Sequence, residues 1–415
     1  MFGMDMSEAL LTLSDVTVRR GSSDVLKNFN LSLKSGQTVL LNEKNGAGKS
    51  TIIEASAGLL PLETGEVRHH GALVLDSSGR SKRPEMAFGL TLQSDGCIGS
   101  QRVEEHIFNA LDLTSSRIDI EPWLKRYNLA HRKHDLIAHL SGGQRRKVAM
   151  LAGMLPGFVG DKPRILLLDE PASGLDQPSR ERLVEDLHAL RERGNTILLA
   201  SHHSDFAACA THVLENNELI ATNPDEYTSK KRIDLKPTVK SGSAVFRTSM
   251  TLNRRTLATL ANNGIAGFLT LGILLALVDP KAVDSTLVQA SGLYLSSAFA
   301  AGLVGDSIIA MLHEHRALDW WKAHRKGIPY SYLHGFVLGM GLTMLTQLGF
   351  DESVSWLLTL IGGLLTASTM AIVRWFDLAT SRLARPKAVY TRILTPILVL
   401  PFALLVQWIT DSNLL

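Results

Sequence analysis

The chain has 415 residues, 45% of them hydrophobic, a formal net charge of +3 at pH 7 and two cysteines. That length accommodates two domains, and the apolar content with a slightly positive mean hydropathy is too high for an ordinary soluble enzyme. The small net charge argues against a nucleic-acid binder, and Cys97 and Cys209 alone build neither a disulfide framework nor a zinc site.

The opening MFGMDMSEALL lacks a basic n-region and a cleavage site, so it is not a secretory signal and is expected to stay in the cytoplasm. Up to about residue 255, charged residues mix with short Val/Ile/Leu runs in the manner of alternating strands and helices. TVLLNEK reads as a buried strand that runs into LNEKNGAGKST, residues 41–51. There Gly46, Ala47 and Gly48 let backbone N–H groups turn around a phosphate, Lys49 reaches the outer phosphates, and Ser50 offers its hydroxyl to Mg²⁺. Asn45 and Thr51 belong to the same candidate binding set. Glu43 stands where the pattern G-x-x-x-x-G-K-[ST] begins with glycine; a left-handed turn there would cost about 1–2 kcal/mol. Cys97, in the LTLQSDG region, reads as an inert small residue.

A second glycine turn, LSGGQRRKVAMLAGML (140–155), precedes another buried strand, RILLLDEPASGLD (164–176). With these motifs in this order, residues 8–225 resemble the nucleotide-binding domain of an ATP-binding cassette (ABC) transporter. The resemblance implies that Ser141, Gly142, Gly143 and Gln144 face the γ-phosphate of an ATP held by a partner subunit. It implies that Asp169, with Ser50 and Gln93, organises Mg²⁺, and that Glu170 is the base or orienter for the attacking water. By the same likeness Gln93 joins the ATP site to the membrane domain, Asp176 speaks across a dimer, and His202 is the switch on the γ-phosphate. Relatives usually stack adenine on a tyrosine in the stretch corresponding to VTVRRGSSDVL. Arg20 falls nearest that place, either stacking its guanidinium on the base or standing solvated beside a weaker base grip.

Beyond residue 255 the charges retreat into clusters. Uncharged stretches run over 256–278, 285–305, 327–350, 353–373 and 393–410, each near the ~20 residues of a bilayer-crossing helix. Arg316, Lys322, Arg325 and Lys326 lie between the second and third, and Arg374, Arg382, Arg385, Lys387 and Arg392 between the fourth and fifth. The positive-inside rule puts those loops and the N-terminal domain in the cytoplasm and the C-terminus outside. The segment 313–332 resembles the cytoplasmic elbow of such exporters, and Trp320 and Trp321 suit either that role or membrane anchoring. His313 and His315 flank Glu314, but on different helix faces they read as a solvated loop rather than a metal or haem site. Asp306 reads either as an interfacial charge or as a substrate or coupling residue, and Gly335, Gly339, Gly341, Gly362 and Gly363 read as permitting close helix packing.

The expected fold is therefore an α/β P-loop NTPase over residues 1–236, with a RecA-like core, an antiparallel β subdomain and an α-helical signature subdomain. A connecting helix over 237–255 and an all-α transmembrane domain of about five helices over 256–415 follow. The arrangement resembles the G subfamily of ABC exporters: an ATP- and Mg²⁺-dependent half-transporter, dimeric with itself or a second half-transporter, multi-pass in a plasma-type membrane. Haem export of the cytochrome c maturation type and mechanotransmission to a partner protein are the alternatives.

Overall fold

A computed structural model of the chain describes residues 9–42, 48–215, 217–222, 239–240, 244–255, 257–278, 291–304, 307–324, 332–350, 353–380 and 398–412. It divides into two units, residues 1–248 with 312–329, and residues 249–311 with 330–415.

In chain order the strands are β1 (Ala9–Arg20), β2 (Ser23–Lys34), β3 (Thr38–Leu41), β4 (Thr64–His69), β5 (Ala72–Asp76), β6 (Gly89–Thr91), β7 (Ser116–Arg117), β8 (Ile165–Asp169), β9 (Thr196–Ala200), β10 (His212–Glu215), β11 (Glu218–Ala221) and β12 (Val239–Lys240). The helices among them are α1 (Lys49–Ser56), α2 (Val103–Leu113), α3 (Glu121–Arg126), α4 (Gly142–Met154) and α5 (Gln177–Glu192). β1, β2, β4 and β5 form an antiparallel sheet in the order β2-β1-β4-β5. The larger sheet runs β11-β10-β3-β9-β8-β6, parallel throughout except for the edge strand β11. Its central strands, TVLL, TILLA and ILLLD, are buried at every residue. Strands covered on both faces need such continuous apolar runs, which is why the sequence shows no alternation there. One core cluster joins Leu166, Leu168, Ile197 and Leu199 of this sheet to Val148 and Met150 of α4 and to Leu183 and Leu187 of α5.

α6 (Ala244–Arg255) contains the boundary between the units. Within the first unit, its Thr248 hydroxyl donates to Asn109 Oδ1 at 2.8 Å and Arg247 pairs with Asp112 of α2. In the second unit α7 (Leu257–Leu277), α8 (Ser291–Leu303), α11 (Leu333–Gly349), α12 (Trp356–Thr380) and α13 (Val399–Ser412) overlap the five expected spans. The shorter α9 (Ser307–His313) and α10 (Ala317–His324) lie between α8 and α11 in the chain. Among the described residues one helix, α12 from Trp356 to Leu378, is long and apolar enough to cross a membrane, and the apolar stretches Ala261–Leu277 and Val399–Ile409 are shorter.

α8, α11 and α12 pack closely because small residues meet small residues. A Cβ on Gly339 would stand 2.6 Å from Gly362 O, and one on Gly362 only 1.9 Å from Thr343 Oγ1. Gly335 and Gly363 are similarly filled, whereas Gly341 faces open space and is no packing position. Polar side chains add bonds between helices: Thr366 Oγ1 donates to Ala298 O at 2.8 Å, and Asn263 Nδ2 to Ala301 O at 2.7 Å. Arg374, expected in a loop, lies on α12 and is fully buried, because the helix runs on to Thr380. Asp306, Arg382, Arg385, Lys387 and Arg392 lie outside the described residues.

The two tryptophans differ from the anchoring role open to them in the sequence. α10 belongs to the first unit from Ala317 to His324, and Trp320 and Trp321 are 1% and 2% exposed there. Trp320 Nε1 donates to Leu90 O of β6 at 3.2 Å, its Cβ would be 3.1 Å from any Cβ on Gly96, and its ring lies 5.5 Å from that of His106. An indole hydrogen-bonded to a strand carbonyl and wedged against a positive-φ glycine fixes the segment to the rest of the first unit.

Candidate functional site

Leu41 of β3 and Asp169 of β8 both pair with Ala200 of β9, so three parallel strands end level with one another. Their exits open on one edge of the sheet, the position where open α/β sheets hold ligands. Lys49, Ser50 and Thr51 follow β3, Glu170 follows β8 and His202 follows β9; with Arg20, Gly48, Gln93 and Asp169 they line one cavity of about 580 Å³. Glu43, Asn45, Gly46 and Ala47 lie outside the described residues.

Gly48 precedes α1 at φ 98°, and a Cβ there would stand 3.2 Å from Val25 Cγ1. The left-handed turn favours glycine, and the N–H groups at the start of α1 meet the cavity with the positive end of the helix dipole, an arrangement suited to phosphate.

Asp169 is 1% exposed, and burial is the main reason its carboxyl is pushed up to about 6, against the opposing pull of the Ser50 hydroxyl and Arg146. Neither carboxylate oxygen completes a hydrogen bond among the described residues. Glu170 has φ 49°, a left-handed backbone that costs a non-glycine residue about 1–2 kcal/mol. Its side chain is nevertheless placed: Oε2 lies 2.9 Å from Nδ1 of His202, itself 58% exposed and 4.3 Å from the His203 ring.

What holds that strained residue is Arg146 of α4. The guanidinium, 3% exposed, donates to Glu170 O from Nη2 at 2.6 Å and from Nε at 3.0 Å, to Asp169 O, to Leu92 O at 2.6 Å and to Asp95 Oδ1 at 3.0 Å. One side chain thus ties the end of β8 to the segment that carries Gln93.

Residues 26–173 match the family model described as ABC transporter. This stretch is an ABC transporter ATP-binding domain. The chain is 34% identical over 199 residues to the Fe(3+) ions import ATP-binding protein FbpC of Streptomyces avermitilis, covering 46% of this chain and 55% of that protein. It is 28% identical over 228 residues to the macrolide export ATP-binding/permease protein MacB of Shigella flexneri, covering 52% of this chain and 34% of that one. Among solved structures, the ATP-binding subunit of an ABC transporter is 26% identical with a TM-score of 0.41, covering 49% of this chain and 85% of that chain. The domain is a P-loop ATP-hydrolysing module, and ATP is its nucleotide.

The remaining expected residues of the ABC domain are not brought into the cavity. Ser141 caps α4, its hydroxyl accepting from Gln144 N at 3.3 Å while Gln144 Oε1 accepts from Ser141 N at 3.1 Å, a reciprocal capping box. Gly142 and Gly143 follow in the first turn; Gly143 has no room for a side chain, since its Cβ would be 2.9 Å from Gly174 O. Asp176 precedes α5, held down to about 2 first by the Ser179 hydroxyl at 2.6 Å and then by Lys147 at 2.9 Å. These five residues lie together around Gly174 and α4, and none of them lines the cavity.

Arg20 lines the cavity, with its Nη2 on Glu54 rather than in solvent alone. Sequence reasoning did not single out Arg146, because nothing local separates it from Arg145, which is more exposed and pairs with the other oxygen of Asp95. Both cysteines are buried free thiols, pushed up by burial, Cys209 to about 12, which suits the inert reading of Cys97. Among the described residues no three or more His, Cys, Asp and Glu side chains gather as metal ligands.

Proposed function

We propose that the chain is a half-transporter of the G-subfamily arrangement that dimerises and couples ATP hydrolysis to export across a plasma-type membrane. The observation that carries this is the union of Lys49, Ser50, Gln93, Asp169, Glu170 and His202 around one cavity, in a chain whose remaining helices present apolar faces outward. Ile265, Leu269 and Leu277 of α7, Val337 of α11, Trp356 and Trp375 of α12 and Leu400 of α13 are 60% exposed or more; a water-facing surface this apolar is unusual, and lipid is the solvent that suits it. We read α7, α8, α11, α12 and α13 as five spans, with the ATP-binding domain cytoplasmic and the C-terminus outside. The signature residues Ser141 to Gln144 and Asp176 stand outside their own chain's cavity, as expected if they complete the site of a second copy. The relatives include both an importer and an exporter and set no direction; fusion of the ATP-binding domain to its own membrane helices is what favours export in this reading.

In this reading Lys49 and the start of α1 bind the phosphates, His202 contacts the γ-phosphate, and Glu170 accepts the proton of the attacking water. The two orphaned, buried oxygens of Asp169 beside the Ser50 hydroxyl fit a hard cation that prefers oxygen ligands, so Ser50, Asp169 and Gln93 would hold Mg²⁺. When bound it would neutralise charge on the β- and γ-phosphate oxygens.

Because Asp169 titrates near 6, its ionisation destabilises the cation-free fold as pH rises from the usual carboxylate range through about 6. Cation binding must displace that proton. Affinity for Mn²⁺ should therefore rise about five-fold between pH 5 and 6 and level off above 7, measured by calorimetry against Asp169→Asn. A pH-independent affinity would take Asp169 out of the cation site.

The export reading is tested with the protein in sealed lipid vesicles, screened for ATPase stimulation by lipids, haem and hydrophobic drugs. ATP-dependent accumulation of one such compound inside inverted vesicles is the expected result. Stimulated hydrolysis without movement of any of them would favour transmission of force to a partner protein.

A further inference from the structure

The P-loop helix carries a carboxylate that the hydrolytic machinery does not use. Glu54, on α1, is 3% exposed, and two arginines from distant parts of the chain share it. Arg20, at the end of β1, places Nη2 2.5 Å from Oε2. Arg316, from the segment 312–329, places Nη1 on Oε1 and its Nε 2.7 Å from Asp319 Oδ2. All of these residues belong to the first unit.

The two arginines do different work. Arg20 also lines the nucleotide cavity, and its side chain is 48% exposed. Among the described residues Glu54 is its only ion-pair partner. Arg316 sits at a turn, with φ 59° after His315 at 46°, and the His315 carbonyl accepts from Gly96 N at 2.8 Å. The segment that carries Arg316 is flanked in the chain on both sides by residues of the second unit.

One buried carboxylate facing two cations makes their holds interdependent: whichever arginine loosens leaves Glu54 more fully to the other. A polyanionic nucleotide in the cavity competes with Glu54 for Arg20. We propose that Glu54 is a positioning residue that links nucleotide occupancy to the 312–329 segment, surrendering Arg20 to the nucleotide and tightening on Arg316. This rests on the reading of the cavity as the ATP site. By reciprocity, whatever strengthens the Glu54–Arg316 pair must favour nucleotide binding by the same factor.

The test is a linkage cycle on the full chain in lipid nanodiscs, with ATP affinity measured by calorimetry in the presence of Mg²⁺. Arg316→Met should weaken ATP binding about five-fold or more, because Glu54 then holds Arg20 alone. In a Glu54→Gln background the same substitution should leave affinity unchanged. Equal weakening in both backgrounds, or none in the first, overturns the proposal. A second measurement does not depend on Arg316→Met folding. Amide hydrogen exchange across residues 312–324 should slow when a non-hydrolysable ATP analogue is added to the unsubstituted protein and should not change in Glu54→Gln. The same slowing in both proteins would also overturn it. Failure of the unsubstituted protein to bind ATP would instead strike at the functional reading.

Discussion

Glu170→Gln is expected to lower ATP turnover about 100-fold or more while ATP binding is retained. General-base assistance is worth about 10²–10⁴ in rate, and Glu170 is the carboxylate at the exit of β8 whose oxygen is 2.9 Å from Nδ1 of His202 in the cavity. Glutamine keeps the shape and a carbonyl for His202, so Lys49, Ser50 and the start of α1 should hold nucleotide as before. In a dimer the consequence is accumulation of an ATP-bound closed state, visible as trapped nucleotide after gel filtration. Turnover within two-fold of the unsubstituted protein would remove Glu170 from the chemical step.

The second large effect is expected at Arg146. Removing one partner from a buried charge pair typically costs about 3–5 kcal/mol, and Arg146→Met would leave Asp95 with Arg145 alone, Glu170 O with Ser173 N alone and Leu92 O with Asp95 N alone, and would take the guanidinium from Asp169 O. The left-handed turn at Glu170 would lose what stabilises it, so both the melting midpoint and turnover should fall. Arg146→Lys should recover only part, since a single ammonium cannot reach acceptors spread over a planar fork. A melting midpoint unchanged in Arg146→Met, measured on the whole chain in lipid, would contradict this account.

The comparison of Arg145 with Arg146 shows where sequence reading reaches its limit. The two neighbours have the same chemistry, and only the packing of α4 against β6 and β8 decides that one is 3% exposed and bonded to two backbone segments. Likewise the tryptophan pair is equally at home, by composition, in a membrane interface or a protein groove; the indole bond from Trp320 to Leu90, 230 residues away in the chain, chooses the groove.

The sequence by itself determined what depends on neighbouring residues. Continuous apolar runs specified β3 and β8, Gly48 specified the turn before α1, and Ser141 with Gln144 specified the cap of α4, because strand burial, left-handed turns and capping boxes are written within a few positions. The uncharged stretches likewise marked where α7, α8, α11, α12 and α13 would lie, although α12 outran its expected end and buried Arg374. Only the tertiary structure decided which long-range partners meet. Level strand ends bring Lys49, Asp169, Glu170 and His202 to one cavity, and the carboxylate of Glu54 finds Arg316 across 262 residues. A buried charge is worth placing only where a partner awaits it, and that partner is fixed by how the chain packs rather than by what stands beside it in the sequence.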